Sequence, residues 1–127
     1  MPKINRYQDI SQIDKEAKKD YIDRHSPFIE CADTAKKGEK FKVKVRVGKE
    51  YTHPEDYDHH IAYVQLWNGE TLLAQANFFP ETYANQKTQV EVDFYIIPTK
   101  KLKLTAMAYC TKHGLWESKI KEVEITE

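Results

Sequence analysis

The sequence predicts an all-β fold, an immunoglobulin-like antiparallel sandwich of seven strands with a short N-terminal helix, and three observations carry that expectation. Residues Phe41–Val47 alternate strictly between apolar and cationic side chains. Asn68-Gly69 separates two apolar runs, which is a tight-hairpin signal. Short apolar runs recur with turn residues about every 8–12 positions, the spacing of a sandwich. A small β-barrel fits the same pattern and stays open as the structural alternative.

The elements follow in chain order. Within residues 9–21, Ile10, Ile13, Ala17 and Tyr21 fall at helical spacing, and Ser11 stands three residues before Asp14 as a weak capping box. Residues 1–24 therefore read as a helix and extension leading into one domain that spans 1–127. After Pro27 the period changes to two. Phe41–Val47 has one dry and one wet face, with Gly38 and Gly48 beyond its ends. Further strands are expected at 61–67, 72–78 and 90–96. Residues 101–109 alternate through Leu102, Leu104, Ala106 and Ala108. The stretch 115–125 starts with Trp116, Ser118 and Ile120 on one face and resumes with Val123 and Ile125 in the opposite phase. That change of phase predicts a bulge near Lys121.

Composition narrows the function. A chain of 127 residues suits one domain. Twenty Lys and Arg balance twenty Asp and Glu, so the basic excess of a general nucleic-acid binder is missing. No apolar run approaches the ~20 residues of a membrane span. Met1 to Arg6 lacks the apolar core of a signal peptide, so a soluble, cytoplasmic protein is expected. Two cysteines, Cys31 and Cys110, allow at most one bridge, which a reducing compartment disfavours, and they are too few for a four-cysteine metal site.

The five histidines occupy three places: Asp23-Arg24-His25-Ser26-Pro27, the segment His53 to His60, and Cys110-Thr111-Lys112-His113-Gly114. Each lies at a strand end, where a sandwich presents its loops. Adjacent His59 and His60 point to opposite sides of an extended backbone, so one at most faces a shared site. Cys110 and His113 place a thiol and an imidazole three residues apart across a turn, a spacing that suits one metal ion. Taken singly, each of these is as compatible with packing or a surface histidine; their concentration in loops that one end of a sandwich can gather favours a site.

The donor inventory bears on the metal. Structural zinc stops at four ligands, one fewer than four imidazoles and a thiolate. Blue copper uses two His, one Cys and an axial Met, and Gly114-Leu115-Trp116-Glu117-Ser118 offers no Met. Iron(II) accepts five strong donors and keeps a sixth position for a small ligand, and an axial thiolate pushes electron density through it.

Together, His25-Ser26-Pro27, His53-Pro54, Asp58-His59-His60-Ile61 and Cys110-Thr111-Lys112-His113-Gly114-Leu115-Trp116-Glu117 resemble the superoxide reductases of the one-iron neelaredoxin type, related to the desulfoferrodoxins. The resemblance runs from about Arg24 to the C-terminus. It implies an immunoglobulin-like sandwich with one mononuclear non-haem iron, held by His25, His53, His59 and His113 as equatorial nitrogens and Cys110 as axial sulfur, with His60 pointing away. The additional four-cysteine iron domain of desulfoferrodoxins has no counterpart among these cysteines. The implied reaction is one-electron reduction of superoxide to hydrogen peroxide without oxygen release, using an external donor such as rubredoxin. Family members of this size are often tetramers, so a homo-oligomer is expected.

The chain departs from the family pattern before His25. The family commonly has Glu-Lys-His-x-Pro, and here the residues are Asp23-Arg24-His25-Ser26-Pro27. The resemblance implies catalytic places for Asp23, one methylene shorter than the Glu that can occupy the sixth position of resting iron, and for Arg24, in place of the superoxide-attracting Lys. Arg24 keeps the charge but cannot release a proton. The plainer alternative for both is a surface ion pair worth ~0–1 kcal/mol. Lys49, Lys112 and Lys119 are a candidate basic rim for an acidic electron donor. Two other function classes remain at this level, a cupredoxin-like electron carrier and a non-catalytic immunoglobulin-like binding module.

Overall fold

The computed structural model of the chain describes residues 19–55, 58–80 and 89–127. The expected helix at 9–21 lies mostly outside them; its described part, α1 (Lys19–His25), continues to His25. Nine short strands follow among the described residues: β1 (Pro27–Glu30), β2 (Thr34–Lys36), β3 (Phe41–Val47), β4 (Ile61–Asn68), β5 (Thr71–Asn77), β6 (Val90–Ile96), β7 (Leu102–Cys110), β8 (Gly114–Glu117) and β9 (Lys121–Thr126). One sheet has the order β1-β3-β6; the other runs β2-β9-β7-β4-β5, with β8 also on β7. The sandwich agrees with the sequence expectation.

Three details differ from it. β1 and β2 were not expected, because four and three residues are too short to display a period. β2 pairs with β9 in parallel, so the sandwich is not purely antiparallel. It crosses over from the other sheet and needs no hairpin to lie along the last strand. The expected single strand at 115–125 is two strands sharing one flank of β7. From Met107↔Glu117 to Leu104↔Lys121, three steps on β7 face four on its partner. The extra residue falls within 118–120, slightly before the expected bulge. Ser118 covers the gap: its Oγ accepts the Ala106 N–H at 2.9 Å.

The alternation becomes the core. Val43, Val45 and Val47 of β3 point inward and are fully buried against Val64, Leu66, Leu104, Ala106, Ala108 and Val123 of the other sheet. The cations between them stay at the surface, where Lys44 pairs with Glu91 and Asp93 of β6. The Asn68-Gly69 turn closes the β4–β5 hairpin with Asn68 opposite Thr71, and Gly69 takes the positive φ of +58° that such a turn requires.

Two features aim side chains at one end of the sandwich. On β4 the register slips between Ile61 and Tyr63, so Ala62 has no partner on β7. Such a bulge turns the strand end, here beside Cys110. The antiparallel pairing of β1 with β3 sets Pro27 opposite Val47, so the end of α1 meets the start of the loop that carries His53.

Candidate metal centre

One donor atom each from His25, His53, His59 and Cys110 lies within 4.8 Å of the other three. His113 adjoins them, with Nδ1 3.1 Å from His25 Nε2 and 3.7 Å from Cys110 Sγ. All five residues singled out as metal ligands from the sequence thus meet at one end of the sandwich. They come from a helix end, a long loop, the entry to β4, the end of β7 and the β7–β8 turn.

Each is aimed by local structure. His25 is the last residue of α1, and its Nδ1 lies 2.7 Å from the carbonyl of Tyr21, one turn back. Its ring stacks on Trp116 at 5.2 Å and 18°, while the Tyr21 ring lies tilted at 56° against His25 and packs edge-on against His113. His53 Nδ1 sits 2.7 Å from the Pro54 carbonyl. A carbonyl can only accept, so in both rings Nδ1 carries the proton and Nε2 keeps the lone pair. The Nε2 of His53 is buried with no hydrogen-bond partner, and His59 Nε2 is also sealed from solvent. An orphaned imidazole lone pair is costly in a dry site unless an ion satisfies it.

His59 reaches Cys110 through sheet register, since Ile61 faces Cys110. Thr111 ties the two segments: its N–H donates to the His60 carbonyl at 3.0 Å, and its Oγ1 accepts the His60 N–H at 3.2 Å. The His113 N–H donates to Cys110 Sγ at 3.4 Å, and the Trp116 indole donates to the His113 carbonyl at 3.2 Å.

The electrostatics favour neutral imidazoles. Burial lowers His25 to about 4 and His53 to about 3, against the pull of their carbonyl partners and with help from neighbouring imidazoles. Burial also lowers His113, aided by the positive charges of Lys112 and Arg24. Burial pushes the Cys110 thiol up, opposed by the backbone N–H groups of Lys112 and His113. His25, His53 and Cys110 are at most 1% exposed, whereas His59 and His113 are half-buried, so the site meets solvent on their side.

Other singled-out residues lie elsewhere. Asp23 is outside the converging group. Its carboxylate instead accepts the backbone N–H groups of Lys49, Glu50 and Tyr51. Arg24 pairs at 3.8 Å with Asp20, one turn earlier, rather than with Asp23. His60 lines a separate cavity with Phe78 and Gln89 and is outside the converging group. Met107 stands an odd number of residues from Cys110 on β7 and so faces the other side of the sheet, which removes the axial Met of a blue-copper site. Cys31 is a free thiol packed against the core. Sequence reasoning missed Tyr21 as a partner of the site; its position four residues before a helix-terminal histidine was the available signal.

Comparison with known proteins agrees with this geometry. A profile of the family described as Desulfoferrodoxin matches residues 12–119. A superoxide reductase of Thermococcus kodakarensis is 36% identical over 102 residues, covering 77% of this chain and 86% of the relative. A neelaredoxin of Megalodesulfovibrio gigas is 29% identical over 109 residues, covering 76% and 84%. Among solved structures, a superoxide reductase (neelaredoxin) from Ignicoccus hospitalis superposes with a TM-score of 0.66 at 30% identity, over 80% of this chain and 81% of that one.

Proposed function

The chain belongs to the desulfoferrodoxin family, and we propose that it is a superoxide reductase, an oxidoreductase that converts superoxide to hydrogen peroxide at one iron ion per chain. The observation that carries this reading is the convergence of four donor atoms within 4.8 Å, with the lone pair of His53 Nε2 left for an ion. We assign His25, His53, His59 and His113 as the nitrogen ligands and Cys110 as the sulfur ligand. The set suits iron: neutral imidazoles and a thiolate exceed what tetrahedral zinc uses. Iron held there supplies the single electron that superoxide takes up.

The protein residues do the rest. The two Nδ1–H···O=C bonds keep the imidazoles of His25 and His53 in the ligating tautomer. Trp116 and Tyr21 wall off the His25 side from water. The Arg24 charge is felt at both His25 and His113, so its field reaches the half-buried mouth and draws an anion toward it. Because a guanidinium keeps its proton at working pH, the two protons of peroxide come from solvent at the His59–His113 side.

The proposal extends to the electron donor, the assembly and the cellular setting. A rubredoxin-like electron donor with an acidic face suits Lys49 and Lys119, which border an open cavity of about 500 Å³ beside α1, and the exposed Lys112. Strands β5 and β6 end their sheets and offer backbone edges for a homo-oligomer, a tetramer in this reading. A cytoplasmic setting fits two free thiols.

The test is metal analysis followed by rapid mixing with superoxide. One iron per chain and one peroxide per superoxide, without oxygen release, is the expected result. Copper, no metal, or oxygen evolved with peroxide would overturn the reading.

A further inference from the structure

We propose that Asp23 is a positioning residue: its carboxylate clamps the turn that delivers His53 onto the helix that delivers His25, and it is not itself a ligand. This rests on the reading of those two histidines as iron ligands. Both carboxylate oxygens of Asp23 lie 3.1 Å from the Lys49 N–H, and Oδ2 also accepts from Glu50 and Tyr51 at 3.0 Å each. Three backbone N–H groups converging on one carboxylate form an anion nest, and such charge-assisted bonds are about twice as strong as neutral ones. The carboxylate would have to surrender all three to turn toward an ion.

The carbonyls of the same turn are held as well. Arg46 donates through Nε to the Gly48 carbonyl at 3.2 Å and through Nη2 to the Lys49 carbonyl at 3.0 Å. Gln89 Nε2 donates to the carbonyls of Val47 and Gly48 at 2.5 and 2.6 Å. The Gly48 N–H donates to the Ser26 carbonyl at 2.9 Å, which fastens the turn to the segment just after His25. The turn also packs directly on α1: a Cβ at Gly48 would lie 3.3 Å from the Asp23 carbonyl oxygen.

The clamp has a symmetric placement. Asp23 stands two residues before His25, and Tyr51, the last amide it holds, stands two residues before His53. The rings of His25 and His53 then meet edge to face at 4.9 Å. The β1–β3 pairing and the Gly48–Ser26 bond bring the two segments together, and the Asp23 carboxylate fixes the stretch from residue 49 to Tyr51 that leads on to His53.

Asp23→Ala and Asp23→Asn, loaded as the parent chain is loaded, test the proposal. In Asp23→Ala, amide exchange at residues 49–51 should rise at least about tenfold, with β7 amides unchanged. Iron release to a chelator, at a temperature where the chain stays folded, should quicken by a similar factor, with the ferric thiolate band in place. Asp23→Asn, which keeps one carbonyl acceptor, should fall between, and it decides the matter alone if the alanine variant does not fold. Parent-like exchange and iron release in both variants would overturn the clamp. So would a moved ferric band with unchanged exchange, the signature of a lost ligand. The exchange measurement needs neither iron nor superoxide, so it stays readable if the catalytic reading fails.

Discussion

His113 Nδ1 faces His25 Nε2 across 3.1 Å, joining the β7–β8 turn to the end of α1 over 88 positions of sequence. The Nδ1 of His25 is committed to Tyr21, so without an ion His113 is the donor in this contact and His25 the acceptor. Their substitutions should therefore differ. His25→Ala removes a fully buried ring stacked under Trp116 and should cost about 2–4 kcal/mol of folding stability as well as iron. His113→Ala lies at a half-buried turn and should keep stability within about 1 kcal/mol while losing iron. Urea denaturation alongside iron analysis separates them; equal stability losses would contradict this division.

The titration behaviour of the metal-free chain has a definite sign. His25 and His53 fall to about 4 and about 3 from 6.5, so the unfolded chain binds more protons between those values. Stability should be fully present above 6.5 and be lost as pH falls through about 4. The raised Cys110 pKa acts at the other end, where stability declines once the unfolded thiol ionises above 9. Denaturation midpoints across pH check both limbs, and a midpoint flat from neutral to acid would refute the first.

Metal uptake near neutral pH should release about one proton, from Cys110, because His25 and His53 are already neutral. Calorimetry in buffers of different ionisation enthalpy counts it. Three released protons would show the imidazoles charged beforehand.

Arg24 is expected to act by charge alone. Arg24→Ala should slow superoxide association several-fold to about tenfold at low ionic strength and flatten the salt dependence, whereas Arg24→Lys should keep both. Pulse radiolysis at several ionic strengths measures them. Unchanged rates and slope in Arg24→Ala would remove Arg24 from the reaction.

Gly48 is held at φ +80°, and a Cβ there would lie 2.5 Å from the Tyr51 carbonyl oxygen. Gly48→Ala should cost about 2 kcal/mol or more and release iron through the displaced His53 loop. Gly38, at φ +75° in open space, supplies the control, with Gly38→Ala costing about 1 kcal/mol and iron retained. Similar losses at the two sites would mean that conformation alone, and not the close approach, governs Gly48.

Much of this was legible in the chain itself. Period-two alternation marked β3 and β7, the Asn-Gly pair marked the β4–β5 hairpin, and the phase change after Ile120 marked an extra residue opposite β7. These signals are local: a side chain's face follows from its neighbours two residues away. β1 and β2 were illegible because they are shorter than a few periods of that pattern. The ligand residues were legible as types and through their resemblance to a known family.

Sequence by itself determined the inventory, namely which residues bring nitrogen and sulfur and which runs become strands. Tertiary structure decided where their atoms point. It turned Asp23 toward the 49–51 amides, set Trp116 flat against His25, carried β2 parallel to β9, and left His59 and His113 at the open side. The physical reason is distance along the chain. Hydrophobic period is fixed by near neighbours, whereas the meeting of residues 25, 53, 59, 110 and 113 depends on strand registers and turn hydrogen bonds that join segments up to 88 residues apart.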